Sequence, residues 1–258
     1  MGQARHVLVC GASAGIGRAA ALAFAREGWR VTALARRAER LEALVPELEA
    51  AGAAGVGVAV ADLAAPEGLA AVVARAEAAL GPVDALVHNT GGPAGGRLLD
   101  APWANFAAAH AAHLGSLHAL CQALVPGMGA RGYGRVVAVM STSVYEPIAG
   151  LGVSNSTRAA VAGYLKTLAD ELPAGVTANG VLPGYTDTER LDALAGARAA
   201  AAGSDAAAVR AAWAQSVPEG RLGRPDETAA AIVFLCGPSA GYIRGVFLPV
   251  DGGRLRSI

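Results

Sequence analysis

Short apolar runs recur along the chain with longer amphipathic stretches between them. Residues 6–10, 30–35, 55–60, 84–87, 135–140, 176–181 and 246–250 each read as a strand. Their unbroken apolar character suits parallel strands buried on both faces. The intervening segments 15–27, 38–51, 67–80, 102–127, 154–172 and 225–236 are rich in Ala, Leu, Glu and Arg and carry helical periodicity. Strand–helix alternation over the whole length predicts an α/β fold: a single doubly wound Rossmann domain over residues 1–258. Its parallel sheet has about seven strands, helices on both faces and right-handed crossovers. No linker and no internal repeat interrupts the pattern. The alanine-rich tract 191–212 predicts helices over the mouth of a site, within an insertion at about 188–217 that covers a substrate and lines a mainly apolar pocket. A flexible insertion is the alternative.

Composition narrows the function. Lys plus Arg and Asp plus Glu are 21 each, so the net charge is zero and spread along the chain. That is not the basic footprint of a nucleic-acid binder, nor a polybasic membrane patch. Hydrophobic residues at 53% and charged residues at 16% exclude disorder and permit a deep core. Cys10, Cys121 and Cys236 are far apart and odd in number. They suggest neither a metal site nor a disulfide framework, but reduced thiols in a cytoplasmic protein. The apolar run near the start is too short for a signal peptide, and no stretch is apolar enough to span a membrane. Lys166 is the only lysine; every other base is arginine.

Directly after the first predicted strand comes Gly11-Ala12-Ser13-Ala14-Gly15-Ile16-Gly17, then a helix. Glycines there allow positive φ and let backbone N–H groups approach a phosphate, which the helix N-terminus faces. The strand–turn–helix setting gives the triplet its weight, since a tight turn without a ligand reads similarly in isolation. On this spacing the chain resembles the short-chain dehydrogenase/reductases, with Cys10 in the place of their threonine. The resemblance continues through Asp62-Leu63, His88-Asn89-Thr90-Gly91, the run Asn179 to Gly184, Thr188, Gly223-Arg224-Pro225 and Asp251-Gly252-Gly253. It implies a nicotinamide dinucleotide held by Gly11, Ser13, Ala14, Gly15, Ile16 and Gly17. Asp62 and Leu63 would meet the adenine, and Asn89, Gly91, Pro183, Gly184 and Thr188 would line the nicotinamide half.

The second strand decides which dinucleotide. An acidic residue about 20 positions after the loop would hold the adenosine 2′-hydroxyl and select NAD(H). Ala35 stands there, followed by Arg36 and Arg37, whose guanidiniums suit a 2′-phosphate. NADP(H) is therefore expected over NAD(H). The alternative is a solvated helix start, and Ala14 lacks the basic residue that some NADP-dependent members carry in the loop.

At the chemical end the resemblance implies Ser, Tyr, Lys and Asn. The tyrosine exchanges a proton with the carbonyl or carbinol oxygen, and the lysine's charge lowers its pKa. Ser141 keeps the serine place. Ser154 stands for the tyrosine, Arg158 for the lysine and His113 for the asparagine. Serine is a poor acid, and Arg158 keeps its proton but can still hydrogen-bond the nicotinamide ribose. Lys166 lies eight residues beyond Arg158, about 80° around the helix and about 12 Å along it, too far to substitute. Tyr145, swinging over the nicotinamide, and His113, titrating near neutrality, are candidate acids. A pocket-shaping tyrosine and a packing histidine are the competing readings, and His88 and His110 read as structural. The expected activity is an NADP(H)-dependent oxidoreductase acting on a carbonyl or hydroxyl of a small molecule. The alternatives are a cofactor-binding sensor or scaffold and a non-redox lyase or epimerase. The resemblance also implies a homotetramer or homodimer built on the helices 102–127 and 154–172, with the C-terminal strand and residues 251–258 at a second interface.

Overall fold

In the computed structural model, which describes residues 4–257, β1 (His6–Cys10) passes through α1 (Gly15–Arg26) into β2 (Arg30–Ala35). Then come α2 (Ala38–Ala50), β3 (Gly55–Val60), α3 (Leu69–Leu80) and β4 (Ala85–His88). Met1–Gln3, part of the stretch read as too short for a signal peptide, and Ile258, in the expected second interface, lie outside the described residues. The second half adds α4 (Trp103–His110), α5 (Ser116–Arg131), β5 (Gly134–Val139), α6 (Gly152–Glu171) and β6 (Val176–Pro183). It ends with α7 (Glu189–Ala202), α8 (Ala206–Gln215), α9 (Pro225–Cys236) and β7 (Phe247–Val250).

The seven strands form one sheet in the order β3-β2-β1-β4-β5-β6-β7, and every pairing is parallel. The chain builds outward from β1 to β3, returns to the centre at β4, and then builds the other way. That reversal opens a crevice at the carboxyl ends of β1 and β4. Successive side chains of β1 alternate between two cores. Leu8 and Cys10 join Leu69, Leu117, Leu120, Leu124 and Leu165 on one face, while Val7 and Val9 join Phe24, Leu41, Leu44, Ile232 and Leu235 on the other. α7 and α8 have a small core of their own around Leu191, Ala195 and Trp213.

Three elements depart from the sequence pattern. The helix expected over 102–127 runs on to Arg131, because Gly127 and Gly129 stay helical and Gly132 takes the left-handed cap with φ 67°. Its middle, Ala111–Gly115, widens into a π-helical turn. Such turns recur at functional sites. α6 starts at Gly152, so positions 154 and 158 both lie on regular helix. β3 is an edge strand whose Val58 and Val60 face outward rather than being buried on both sides. Among the described residues no helix is long and apolar enough to cross a membrane, and no cluster of His, Cys, Asp or Glu could hold a metal ion.

Candidate active site

At the carboxyl end of β1 the chain turns into α1 through glycines that nothing larger can replace. Gly11 and Gly15 have φ of 64° and 53°. A Cβ on Gly17 would stand 2.2 Å from the Gly11 carbonyl oxygen, and one on Gly11 2.6 Å from Asn89. Asn89, just past β4, thus buttresses the loop from below. Thr188 meets it from the β6 side, 3.2 Å from where a Gly15 Cβ would lie. The first turn of α1 has no side-chain cap and no acidic residue. Its N–H groups and positive dipole end are left for an anion. This cradle fits a dinucleotide pyrophosphate.

Beyond it lie the arginines. Arg37 Nη2 donates to Ser13 Oγ at 2.9 Å, tying the helix α2 start to the glycine loop. Arg37 Nη1 is 3.7 Å and Arg40 Nη1 2.7 Å from the carboxylate of Glu189, on the first turn of α7. Arg36 is a looser neighbour of Asp62 at 3.9 Å. Asp62 also accepts the Ala64 N–H, while the Leu63 side chain is buried in the core. Arg37 caps α2 and Arg40 follows in its first turn, and both reach Glu189. The basic run Arg36, Arg37, Arg40 was the signal for Arg40. No local pattern reveals that Glu189 reaches α2.

The chemical half gathers at the ends of β4, β5 and β6. Ser141 accepts the Ser143 N–H at 3.1 Å, which leaves its own O–H to donate elsewhere. Ser154 is half-buried, one turn before Arg158 on α6. Arg158 is 8% exposed; its Nη1 donates to the Val139 carbonyl at 2.7 Å and its Nε has no partner. Burial and the neighbouring Arg190 lower its pKa to about 10, so it remains a cation at neutral pH.

His113 lies in the π turn, 2% exposed, and shares a hydrogen bond with the Thr90 hydroxyl. Burial first, then the Arg158 charge and His88, push it down to about 2. The expectation that it titrates near neutrality is therefore corrected: it is a neutral hydrogen-bonding group. His88, 2.7 Å from Ser116 Oγ, is pushed down to about 3 by burial and Arg158. His110 bonds the Phe106 carbonyl one turn back at 3.0 Å.

Tyr145, the other candidate acid, is 47% exposed. Its hydroxyl donates to the Phe247 carbonyl at 3.4 Å, at the start of edge strand β7. In register Phe247 is level with Gly180 and hence with Ala138, below the carboxyl ends where the loops converge. Arg190 is a residue the sequence reading passed over. It reaches from α7 to the Pro93 carbonyl and packs against Gly92.

A parallel sheet with this order, a glycine cradle at its switch point and a serine beyond the fifth strand define a dinucleotide-dependent oxidoreductase. Residues 11–254 match the family model described as Enoyl-(Acyl carrier protein) reductase. Among relatives, Nodulation protein G of Azospirillum brasilense is 36% identical over 95% of this chain and 96% of its own. The 3-oxoacyl-[acyl-carrier-protein] reductase FabG of Pseudomonas aeruginosa is 31% identical over 99% of both. The solved L-sorbose reductase of Gluconobacter frateurii, complexed with NADPH and L-sorbose, superimposes with a TM-score of 0.92. It shares 31% identity and covers 99% of this chain and 98% of that one. The chain belongs to the short-chain dehydrogenase/reductase family of oxidoreductases.

Proposed function

We propose that the protein is an NADP(H)-dependent oxidoreductase acting on a carbonyl or hydroxyl of a small molecule, with Ser154 and Arg158 replacing the family's tyrosine and lysine. The observation that carries this is that Asn89 and Thr188 close on the glycine loop at the carboxyl ends of the strands, the end at which Ser141 follows β5 and Arg158 bonds the Val139 carbonyl. NADPH in the sorbose reductase and in the actinorhodin polyketide ketoreductase supports the cofactor, as do Arg36, Arg37 and Arg40. Bound there, the dinucleotide supplies or accepts hydride. Ser141 donates a hydrogen bond to the substrate oxygen. Arg158 holds fixed positive charge beneath it and bonds the nicotinamide ribose. The residues 188–217 cover the substrate. With Ser154 a weak acid and His113 neutral, reduction of generic ketones is slow. The same absence of a strong acid favours, as a second reading, a cofactor-binding protein with little turnover.

Arg36→Ala with Arg37→Ala weakens NADPH binding by about 1–3 kcal/mol per lost charge-assisted contact and leaves NADH binding nearly unchanged. Fluorescence titration reads both. Equal NADPH and NADH affinity in the unaltered protein removes the assignment. We also propose that α4, α5 and α6 pair across a two-fold axis into a dimer or tetramer. Trp103, stacked on Phe106 and 78% exposed, and Leu99, 92% exposed, are apolar surface in need of cover on that side. Sedimentation velocity at micromolar concentration finds the assembly; monomer alone rules it out.

A further inference from the structure

Three guanidiniums crowd the start of α2, and each has a carboxylate beside it at a different distance. Arg36 Nη1 stands 3.9 Å from Asp62, Arg37 Nη1 3.7 Å from Glu189, and Arg40 Nη1 2.7 Å from the same Glu189. The two arginines that directly follow β2 thus hold their carboxylates loosely, beyond hydrogen-bond length. The third holds its carboxylate in a short hydrogen bond. Arg37 is also fixed from another side. Its Nε and Nη2 both donate to Ser13 Oγ, at 3.3 and 2.9 Å, which keeps it against the glycine loop.

Glu189 is the first residue of α7, and α7 does not need it at α2. The helix is already capped by Thr188, whose side chain accepts the Leu191 N–H, and Asp192 supplies a second acid in its first turn. What holds this exposed carboxylate at α2 is the charge of Arg37 and Arg40. A 2′-phosphate is bound by guanidiniums through the same charge-assisted hydrogen bonds. The carboxylate and the phosphate therefore draw on one donor group, Arg37, and two negative groups brought to it also repel each other. Arg40 weights that contest. At 2.7 Å it neutralises Glu189 and draws the carboxylate off Arg37, whose own contact with it is 1 Å longer at 3.7 Å.

We infer that Glu189 and Arg40 set the dinucleotide preference: Glu189 competes with the 2′-phosphate for Arg37, and Arg40 is the positioning residue that keeps the carboxylate from it. This rests on the NADP(H) reading above and adds to it a pair that acts through Arg37. A 2′-phosphate draws Arg37 to itself and leaves Glu189 to Arg40. α7 is then attached to α2 through one guanidinium instead of two. The adenosine end of the cofactor thereby reaches the residues that cover the substrate. NADH carries no such phosphate and leaves both contacts in place.

The test is a double-mutant cycle read by fluorescence titration with NADPH and with NADH. It compares the parent, Glu189→Gln, Arg40→Ala and the double variant. At about 0.15 M salt, charges more than about 8 Å apart are largely screened, so the cycle reports near neighbours. Glu189→Gln is expected to bind NADPH about threefold more tightly, with NADH affinity changed by less than about 1.5-fold. Arg40→Ala leaves Glu189 to Arg37 alone and loses about threefold in NADPH affinity. In the Glu189→Gln background the same Arg40→Ala change costs less than about 1.5-fold. The side chains of Arg40 and Glu189 are 46% and 64% exposed, so neither substitution opens the core. Damage to the fold would move both dinucleotides together, whereas the competition moves their ratio. An equal cost of Arg40→Ala in both backgrounds overturns the inference, because it puts Arg40 on the phosphate itself. So does a Glu189→Gln protein that binds NADH worse and NADPH no better, which makes Glu189 the acceptor for a ribose 2′-hydroxyl. A parent that binds NADPH and NADH alike is a different result: it removes the NADP(H) reading, and the inference with it. A parent that prefers NADPH, with no change of ratio in any variant, removes the inference alone.

Discussion

Ser154→Tyr combined with Arg158→Lys raises kcat/KM for NADPH-dependent ketone reduction by about 10²–10⁴-fold, the usual contribution of a positioned general acid. Positions 154 and 158 face the same way one turn apart on α6, so the introduced phenol and ammonium are neighbours without any movement of backbone. Either change alone helps little. A phenol beside Arg158 gains a nearby charge, but a guanidinium does not pass a proton on as a lysine ammonium can. An ammonium without a phenol has no acid to tune. Replacing Arg158 by Lys also removes a buried Nε that has no partner, so the fold should tolerate it. The measurement is kcat/KM for the four proteins of the cycle, with Tyr145→Phe in the parent as control. Unchanged activity in Tyr145→Phe assigns the phenol to its contact with the Phe247 carbonyl, and a large loss assigns it the proton. Fast parent turnover that disappears with Ser154→Ala would show that serine already serves as the acid. Normal NADPH binding with no turnover in any of the four would favour the cofactor-binding protein.

Gly17→Ala removes NADPH binding and destabilises the protein by about 1–3 kcal/mol, the usual cost of forcing extra volume into a packed site. The added methyl would lie 2.2 Å from the Gly11 carbonyl oxygen and 2.8 Å from Asn89 Nδ2. The nearest obstacle is backbone, which has no rotamer to change. Relief requires α1 to move off the loop, and that dissolves the row of N–H groups meant for phosphate. Gly196→Ala, in the middle of α7, is the comparison. Nothing lies within 4 Å of its Cβ position. There the substitution in mid-helix stabilises by about 0.5–1 kcal/mol. Thermal melts and NADPH titrations of the two variants check both effects, at roughly 2–4 °C of Tm per kcal/mol. If Gly17→Ala binds NADPH normally, the loop is not the phosphate cradle.

The sheet was legible because buried parallel strands advertise themselves as continuous apolar runs, and every expected strand formed within two residues of its place. The glycine loop was legible because its demands are local: a turn, a close approach, a helix start. The side-chain contacts that finish the site were not. Glu189 meets Arg40 across 149 positions, and Arg190 meets Pro93 across 97. Such contacts are products of how two loops dock, and no periodicity encodes them. His113 and Tyr145 show the same limit in another form. Residue type gives His113 a plausible pKa, but burial decides its charge, and the contact of Tyr145 with Phe247 spans 102 positions. The π-helical turn was equally invisible, since apolar and small residues read as ordinary helix through 111–115.

Among the described residues, the ion pairs of α7, α8 and the start of α9 join arginines to carboxylates: Glu189 with Arg37 and Arg40, Asp187 and Asp192 with Arg210, and Glu227 with Arg221. Guanidiniums do not discharge in alkali, so raising the pH leaves these tethers whole. Acid reaches them late. Hydrogen bonds from Arg221 and the Arg224 N–H hold the Glu227 carboxyl at about 2, and Arg40 lowers that of Glu189. A carboxyl depressed in this way contributes fully above its ordinary value and is lost only as the pH falls through its folded one. These pairs are solvent-exposed, however, and at about 0.1 M salt the screening length is only about 10 Å. The attachment of α7 to α2 and α8 is thus indifferent to protons across the physiological range, whereas dissolved salt weakens it.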